Sequence, residues 1–479
     1  MNKSIFRSRI LAGLFSFIVL TFIYSCATNR ARVWNSSSEP WNEMEKLRAK
    51  IKAPKFADRD FLITSYGAVG DGKTKNTEAF KKAIEACSNA GGGRVIVPSG
   101  TFLTGAIYLE SNVNLHMVDS AKILFSRDPK DYPIVFTRWE GMECMNYSSF
   151  IYAYGEENIA ITGNGILDGN ADNENWWNWN GAPRYGWKPG MGNQRIARDS
   201  LHKLMYAEVD PRKRVFGDGF YLRPNFIQQY NCKNVLMSDF KLINSPMWCI
   251  NPVLCENVIV ERVKVISSGP NNDGCDPEAC KNVLIKDCYF DTGDDCIAIK
   301  SGRDQDGRRI GRPAENHIIE GCEMKEGHGG VVIGSEIAGG ARNIYAINNR
   351  MDSPELDRVL RIKTSSSRGG IIENVFMKDT KVGTYKEAAV KFNMFYEKPG
   401  NFIPTIRNIW VENMEVERGG QYGLLSAAYK SSPVQNVRMI NVNIKGVKVP
   451  MKVDYIENLQ FENVRINGQL VQVRDSLKK

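Results

Sequence analysis

The chain has 479 residues, 42% of them hydrophobic and 24% charged, and a formal net charge of +9. These values are ordinary for a globular protein, exclude wholesale disorder and leave room for a large core. The basic residues are spread along the chain rather than gathered in the dense run that nucleic acid prefers, so we expect no nucleic-acid partner. A diffuse positive field suits an acidic polysaccharide equally well.

Residues 1–26 have the features of a signal peptide. A positive region comes first and contains Lys3, Arg7 and Arg9. An apolar run from Ile10 to Tyr24 follows, and it is too short for a comfortable membrane span. We therefore expect an exported protein.

The signal segment ends Ile-Tyr-Ser-Cys at Cys26, which is similar to the lipobox of a bacterial lipoprotein. We expect a lipid anchor at Cys26, a location in the periplasm or at the outer membrane, and a polar tether over residues 27–57. Cleavage of a plain secretory peptide near Ser25 or Ala27 is the alternative.

The folded domain is expected over residues 58–470, and it begins with a strand over 58–66. A helix follows, because apolar residues recur at helical spacing at Phe80, Ala83, Ile84 and Cys87. Asn76 is the expected N-cap, and the glycines at 91–93 end the helix. We expect this helix to cap one end of the domain, with strands at 94–98 and 105–109.

A degenerate repeat of asparagine followed by alternating apolar residues starts at Asn158. It recurs at Asn234, Asn257, Asn282, Asn316, Asn343, Asn374, Asn408, Asn436 and Asn458. A period of roughly 20 to 35 residues indicates a solenoid, and short strands without intervening helices narrow it to an all-β parallel β-helix. Leucine-rich repeats share the period, but their leucine frame is missing. The asparagines are expected to cap a bend and to stack on their copies.

Three cysteines occupy equivalent repeat positions, two residues before an Asn-Val: Cys232, Cys255 and Cys280. This placement predicts a buried ladder of thiols rather than disulfides. Metal ligation is disfavoured, because there is no Cys-x-x-Cys pair and the four histidines are scattered.

The gap between Asn158 and Asn234 is too long for one coil, which predicts an excursion at about 165–225. Its aromatic residues are interpreted as a local core, with a sugar-binding site as the alternative. Arg223 and Trp248, where the regular repeat resumes, are the better groove candidates.

Four short polar runs recur between residues 270 and 363. They are Asn271-Asn272-Asp273-Gly274, Gly293-Asp294-Asp295-Cys296, Gly327-His328-Gly329 and Arg361-Ile362-Lys363. Neighbouring rungs of a parallel sheet lie about 4.8 Å apart, so a β-helix would stack these runs into one patch. Each run alone is a weak signal, since Asp-Gly and Asp-Asp are common in turns and Arg-x-Lys on a strand is usually solvated.

A stacked patch of this kind would have definite chemistry. Three carboxylates forced together cannot all ionise at neutral pH, so at least one pKa should rise. A glycosidase needs a protonated carboxyl for the leaving oxygen and an ionised one for water or nucleophilic attack. The histidine can orient the acid or a hydroxyl, and the two cations, which share a strand face, would clamp an anion.

In all four runs, taken in order, the chain resembles glycoside hydrolase family 28, the polygalacturonase and exo-polygalacturonase family, here of bacterial lipoprotein type. The resemblance covers about residues 58–465. It implies a right-handed parallel β-helix that hydrolyses galacturonan-type pectin with inversion and without a cofactor or metal.

Carried over by position, the resemblance makes Asp294 the general acid, Asp273 and Asp295 the residues that hold the water, and His328 an assistant to the acid. Substrate contacts would come from Asn271, Arg361, Lys363 and Tyr396. Asn272 should point away and matter little. Inversion implies acid and base carboxyls about 6.5 to 9.5 Å apart.

Several alternatives stay open. The Arg361 and Lys363 pair favours galacturonan over rhamnogalacturonan or xylogalacturonan. A Ca²⁺-dependent pectate lyase could use three aspartates as ligands, and a non-catalytic glycan-binding solenoid is a third class. The excursion favours exo action, and we expect a monomer whose partner is a pectic polysaccharide or oligogalacturonide.

Overall fold

The chain coils so that each turn adds one rung to a stack of parallel sheets. The computed structural model describes residues 38–472, so the signal peptide and the predicted lipidation at Cys26 lie outside the described residues. Three sheets run the length of the coil, and all their inter-coil pairings are parallel except the last, Arg465–Ile466 with Gln469–Leu470. The fold is therefore the parallel β-helix that the repeat predicts.

Sheet 1 contains the strands that carry the asparagine repeat. They are Asp60–Leu62, Gly93–Val97, Val113–Met117, Glu157–Thr162, Lys233–Ser238, Glu256–Glu261, Lys281–Lys286, Ala314–Glu320, Ala341–Ile347, Ile371–Thr384, Thr405–Arg418, Val434–Ile440 and Ile456–Glu462.

Sheet 2 follows sheet 1 in each coil and includes the second halves of the two longest strands of sheet 1. Its other strands are Asp71–Lys75, Gly100–Thr104, Ala121–Phe125, Ile166–Asp168, Lys241–Ile243, Lys264–Ser267, Tyr289–Thr292, Glu323–Met324, Arg350–Met351, Asn443–Ile444 and Arg465–Ile466.

Sheet 3 completes the coil. Its strands are Ile107–Tyr108, Ile151–Tyr154, Ile227–Tyr230, Ile297–Ile299, Val331–Ile333, Arg358–Lys363, Ala388–Asn393, Tyr422–Ala427 and Val449–Val453. Single bridges at Ile250 and Cys275 join its two halves. An antiparallel hairpin, Ile134–Trp139 with Met142–Tyr147, projects from the coil.

In the described part of the chain, four α-helices accompany the sheets: α1 Glu39–Arg48, α2 Thr77–Asn89, α3 Arg195–Tyr206 and α4 Asp304–Ile310. Short 3-10 helices lie at Ile63–Tyr66, Pro129–Asp131, Trp177–Asn180, Pro183–Tyr185 and Pro211–Lys213. Within residues 38–472, none of the helices has the length and apolar character that a membrane crossing requires.

An asparagine ladder sets the register of the coils. Each repeat asparagine donates from Nδ2 to Oδ1 of the asparagine one coil before it, from Asn158, which donates to Asn112, through to Asn458. All of them have φ between 55° and 64°, the left-handed region that Asn tolerates better than most residues. The stacking that the sequence predicts is confirmed.

The interior is a single column of inward-facing apolar side chains from all three sheets. Cys232, Cys255 and Cys280 are fully buried and stacked, with the Cys232 N–H 3.4 Å from the Cys255 sulfur. The ten cysteines within the described residues are all free, so the predicted ladder of buried thiols is present.

Helix α2 covers the first coil, as its apolar stripe predicts, and buries Phe80, Ala83, Ile84 and Cys87. The predicted N-cap is wrong in one respect, because the Asn76 side chain makes no capping bond. It instead accepts from the Val69 N–H at 2.7 Å and donates to three backbone carbonyls, tying the preceding turn to the sheet.

The prediction of a polar tether is wrong for part of residues 27–57. Helix α1 buries Trp41, Met44 and Leu47, and Ile51 follows them, against the outer face of sheet 1. That face carries an apolar stripe, because several strands have hydrophobic residues pointing outward as well as inward: Ile259, Ile318, Tyr345, Phe376 and Trp410. Such a stripe is unfavourable in water, and the N-terminal segment covers it.

The excursion between Ile166–Asp168 and Ile227–Tyr230 holds α3 and three of the 3-10 helices. Trp176 is fully buried among aromatic residues of the first coils, so the interpretation as a local core holds for it. Helix α3 buries Ala197, Leu201 and Met205 against the hairpin and Trp248, which leaves its other face free to line a cavity.

Asn408→Ala should lower the free energy of unfolding by about 2 to 4 kcal/mol. Asn408 is buried and bonds the buried Asn374 at 2.9 Å and the half-buried Asn436 at 3.0 Å, so alanine takes one hydrogen bond from each partner and occupies a strained left-handed position. Urea unfolding monitored by circular dichroism measures the change. Asn458→Ala, at the exposed end of the ladder, is the matched control and should cost less than half as much; equal costs would contradict the role of the ladder.

Candidate active site

The polar runs meet at the corner where sheet 2 passes into sheet 3. Asp273, Asp294 and Asp295 follow the sheet 2 strands Lys264–Ser267 and Tyr289–Thr292 and precede the bridge at Cys275 and the strand Ile297–Ile299. One oxygen from each of the three carboxylates lies within 4.8 Å of the others. The register of the coils thus brings the three acids into one cluster.

Asp295 is the most enclosed of the three. Its side chain is fully buried, and Oδ2 accepts a hydrogen bond from Lys363 Nζ at 2.6 Å, while Oδ1 lies 3.6 Å from Arg361 Nη1. Burial lowers the pKa of Lys363, but the charge of Asp295, aided by Tyr396, brings it above its ordinary value. Asp295 and the two cations therefore form a buried ion cluster.

Lys300 is a second buried cation, and it was not among the predicted residues. Its Nζ lies 3.4 Å from Asp273, 3.4 Å from Asp276 and 3.2 Å from Glu336. The indole ring of Trp248 lies 4.3 Å from the same nitrogen. Lysine at the end of an otherwise apolar run, Ile-Ala-Ile-Lys, is the signal that sequence reasoning could have used.

Asp294 is the carboxylate with access to solvent, with 19% of its side chain exposed against 4% for Asp273 and none for Asp295. His328 Nδ1 lies 3.0 Å from Asp294 Oδ1, and the Asp295 backbone N–H donates to the same oxygen. The hydrogen bond to Asp294 raises the pKa of His328, so a protonated imidazole pairs with an ionised carboxylate.

The acids differ in pKa, as crowding predicts. Burial, and then the charge of Asp294, raises the pKa of Asp273 to about 7. Burial would also raise the pKa of Asp294, but the hydrogen bond and charge of His328, aided by Lys363 and Lys300, hold it well below its ordinary value. In the unliganded protein the pKa of Asp273 therefore lies above that of Asp294.

The expected separation of about 6.5 to 9.5 Å between acid and base is wrong for the nearest oxygens, which all lie within 4.8 Å. Lys300 and Lys363 contact Asp273 and Asp295 and offset part of the repulsion, which lets the carboxylates approach more closely. The separation alone does not decide the stereochemistry of a reaction here.

The turns around the cluster are tightly packed, and one further expectation is corrected there. A Cβ on Gly327, beside His328, would lie 2.6 Å from the backbone carbonyl oxygen of Asp294. Asn272 points away from the cluster, but its buried amide bonds Ser267, Gly269, Ser245 and Met247 and so fixes the turn that carries Asp273.

The predicted substrate-contacting residues surround the acids. Tyr396 lies beside both cations, with its ring centroid 5.5 Å from Arg361 Cζ and 5.3 Å from Lys363 Nζ. Asn271 lines the same cavity, and its Oδ1 accepts from Arg223 Nη2 at 2.7 Å. Arg223 itself is fully buried and braces backbone carbonyls, so it is not a groove residue as proposed, whereas Trp248 does line the cavity.

The cavity has a volume of about 770 Å³, within the range of about 300 to 1,000 Å³ that is common for ligand sites. Asp273, Asp294 and Lys363 lie on one wall. Helix α3 contributes a second wall with side chains spaced to share one face: Arg198, Asp199, His202, Lys203 and Tyr206. Tyr396, Glu397 and Lys398 form a third.

Sequence reasoning missed most of the other charged residues that line the cavity, including His202, Arg303, Glu336, Arg368 and Glu397. These residues come from the excursion and from loops of varied length, which carry no repeat signal. The sole indication in the sequence is the apolar stripe of α3, which packs against the protein and leaves the adjoining polar side chains to line a site.

A parallel β-helix with crowded carboxylates and paired cations in a cavity is the arrangement of a polysaccharide-cleaving glycosidase. The chain matches the model described as glycosyl hydrolases family 28 over residues 218–466, and that described as rhamnogalacturonase A/epimerase, pectate lyase-like, over 61–116. A hyperthermoactive exopolygalacturonase from Thermotoga maritima is 44% identical, with a TM-score of 0.88 over 90% of this chain and 96% of its own.

Two further relatives have names of the same enzyme class. An exo-poly-alpha-D-galacturonosidase from Dickeya chrysanthemi is 27% identical over 85% of this chain and 70% of its own. A probable polygalacturonase from Vitis vinifera is 28% identical over 83% of this chain and 77% of its own. The protein belongs to glycoside hydrolase family 28.

Asp273→Asn and Asp295→Asn should affect stability in opposite directions at neutral pH. The folded pKa of Asp273, about 7, exceeds its unfolded value of 3.8, so its contribution is favourable at low pH and is lost as pH rises toward 7. The Asp273→Asn substitution removes this pH-dependent loss in the free energy of unfolding, which amounts to up to about 4 kcal/mol. Asp295→Asn strands the buried Lys363 charge and should cost about 3 to 5 kcal/mol.

Thermal unfolding at pH 4.5 and pH 7.5 measures both effects. Asp273→Asn should show the smaller decline between the two pH values, and Asp295→Asn should be less stable than wild type at both. A wild-type decline that Asp273→Asn leaves unchanged would mean that Asp273 is not the proton-binding group.

Proposed function

We propose that the protein is an exo-acting polygalacturonase that hydrolyses α-1,4-galacturonosidic bonds in polygalacturonate or oligogalacturonides with inversion. The observation that carries the proposal is the placement of Arg361 and Lys363 beside three crowded carboxylates, of which Asp273 and Asp294 line the cavity together with Lys363. Such a pair binds the carboxylate of a uronate while the acids act on its glycosidic bond. The names of the Thermotoga and Dickeya relatives support the same substrate class.

Asp294 is proposed as the general acid, because it is the acid with solvent access and it lines the cavity. Its low pKa in the unliganded protein means that Asp294 must gain a proton when substrate binds. A bound uronate carboxylate adds negative charge beside Asp294 and partly neutralises Lys363, and both changes raise the pKa of Asp294. As the pKa of Asp294 rises, a proton bound by Asp273 would pass to Asp294, and the ionised Asp273 would then hold the attacking water with Asp295 and accept its proton.

Exo action is supported by the shape of the cavity. Helix α3, which belongs to the excursion, and the loop at Tyr396–Lys398 line two of its sides, so the acids lie in a partly enclosed cavity rather than on a flat surface. A pocket accepts a chain end more readily than the middle of a polymer. Rhamnogalacturonan and xylogalacturonan are the alternative substrates. Rhamnogalacturonan lacks a uronate on one side of the cleaved bond and xylogalacturonan carries added bulk, so both would suit this site less well.

A calcium-dependent lyase is less consistent with the cluster. Lys363 and Lys300 already contact Asp295 and Asp273, so a Ca²⁺ ion would have to compete with two ammonium groups for the same oxygens. A purely glycan-binding role gives no reason for the hydrogen bond between His328 and Asp294.

We also propose that the protein is exported and anchored through a lipid on Cys26, as a monomer. The support is the positive and apolar pattern of residues 1–26. Mass spectrometry of the N-terminal peptide from the membrane fraction should find a lipid-modified Cys26, and an unmodified peptide cleaved at another residue would contradict the anchor.

Asp294→Asn should lose about 10² to 10⁴-fold of the rate on digalacturonate. Its loss should be much smaller on α-galacturonosyl fluoride, whose leaving group needs little protonation. Asp295→Asn, which removes a water-holding group, is the matched comparison and should lose comparable rates on both substrates. If Asp294→Asn loses equal rates on both, it is not the acid.

Proton NMR of the products from polygalacturonate, recorded in real time with EDTA, should show early β-anomer of free galacturonate or digalacturonate. The anomer reports inversion, the short product reports exo action, and activity in EDTA separates hydrolysis from calcium-dependent elimination. Long mixed oligomers with a fast fall in viscosity would make the enzyme endo-acting. An initial α-anomer would make it retaining.

A further inference from the structure

The cavity contains a second pair of cations, beyond Lys300 and away from the scissile-bond acids. Arg303 and Arg368 are 4% and 2% exposed, and each lies near Glu336 Oε1, at 3.2 and 3.9 Å. The other oxygen of Glu336 contacts Lys300. One buried carboxylate therefore separates this arginine pair from the catalytic cluster.

The arginine pair holds the carboxylate of Glu397. Arg303 Nη2 donates to both oxygens, at 2.9 and 3.0 Å, and Arg368 Nη2 donates to Oε2 at 2.5 Å. Two guanidinium groups that converge on one carboxylate form the geometry that recognises carboxylate ligands in general.

Glu397 differs from the other acids in this network in ways that would allow a ligand to displace it from the arginines. Arg303 also pairs with Glu140 and Arg368 with Asp304. The side chain of Glu397 is 39% exposed, against 13% for Glu140, 7% for Glu336 and 4% for Asp304. Its φ is 64°, an uncommon value for a residue other than glycine or asparagine. It directly follows Tyr396 in the cavity wall, so an incoming ligand would reach it.

Further cationic groups face the same space. Arg198 and Lys203 of α3 and Lys398 line the cavity. The Nε atoms of Arg198 and Arg303 are buried and have no hydrogen-bond partner among the described residues. The cavity lining therefore has hydrogen-bond donors for an anion in addition to those that pair within the protein.

We propose that Arg303 and Arg368 form a second carboxylate-binding site, for a uronate unit next to the one held by Arg361 and Lys363. Glu397 occupies this site in the unliganded protein, and the substrate carboxylate replaces it. The exchange substitutes one carboxylate for another, so the buried arginines keep a counter-charge throughout. The inference rests on the proposed function and adds to it that binding of at least two uronates is required for full affinity.

Glu397→Gln tests the exchange, because it removes the competing charge while Glu336 still neutralises both arginines. An intramolecular competitor reduces apparent affinity by the fraction of molecules that it blocks. KM for trigalacturonate should therefore fall about 3- to 10-fold, with a smaller change in kcat. In the Asp294→Asn background, calorimetry should show the same gain in trigalacturonate affinity.

Glu373→Gln is the matched control. Glu373 pairs with Arg407 on sheet 1, outside the cavity, and its substitution should leave KM unchanged. An unchanged or raised KM in Glu397→Gln, with an active wild type, would overturn this inference alone. An inactive wild type whose Asp294→Asn variant binds no trigalacturonate would overturn the proposed function and this inference together.

Discussion

The parallel register of the coils is the constraint on which the rest of the structure depends. The asparagine ladder fixes this register once per coil. Each asparagine occupies a left-handed backbone position, and a shift of one residue would put a different residue there and break the ladder. Such a shift would also turn every inward-facing apolar residue outward. Because the register is kept through loops of different length, residues dozens of positions apart in sequence reach the same corner of the coil.

At that corner, acidic and basic side chains from successive coils are packed together. The site is possible because positive and negative groups alternate. Lys363 lies against Asp295, Lys300 against Asp273 and Glu336, and the arginines beyond them against Glu336 and Glu397. Each buried ion would be costly alone, and each has an opposite partner. This alternation places a carboxyl of raised pKa and one of lowered pKa within 4.8 Å of each other, a difference that acid–base catalysis requires.

Departures from the repeat shape the site as much as the repeat does. The excursion and the hairpin support α3, and α3 and the Tyr396–Lys398 loop turn a corner of the coil into a cavity. On the opposite side, α1 covers an apolar stripe of sheet 1. The regular coils thus provide the carboxylates and the paired cations, while inserted segments provide the other walls of the cavity.

The sequence by itself determined the fold class, the asparagine and cysteine ladders and the cluster of Asp273, Asp294, Asp295, His328, Arg361 and Lys363. These features repeat or recur in a fixed order, and in a parallel coil a sequence repeat becomes spatial stacking. Only the tertiary structure brought Lys300 between Asp273 and Glu336, assigned the raised pKa to Asp273 and packed α1 where a tether was expected. Those outcomes depend on distances, burial and contacts between segments of unrelated pattern, and no periodicity along the chain encodes them.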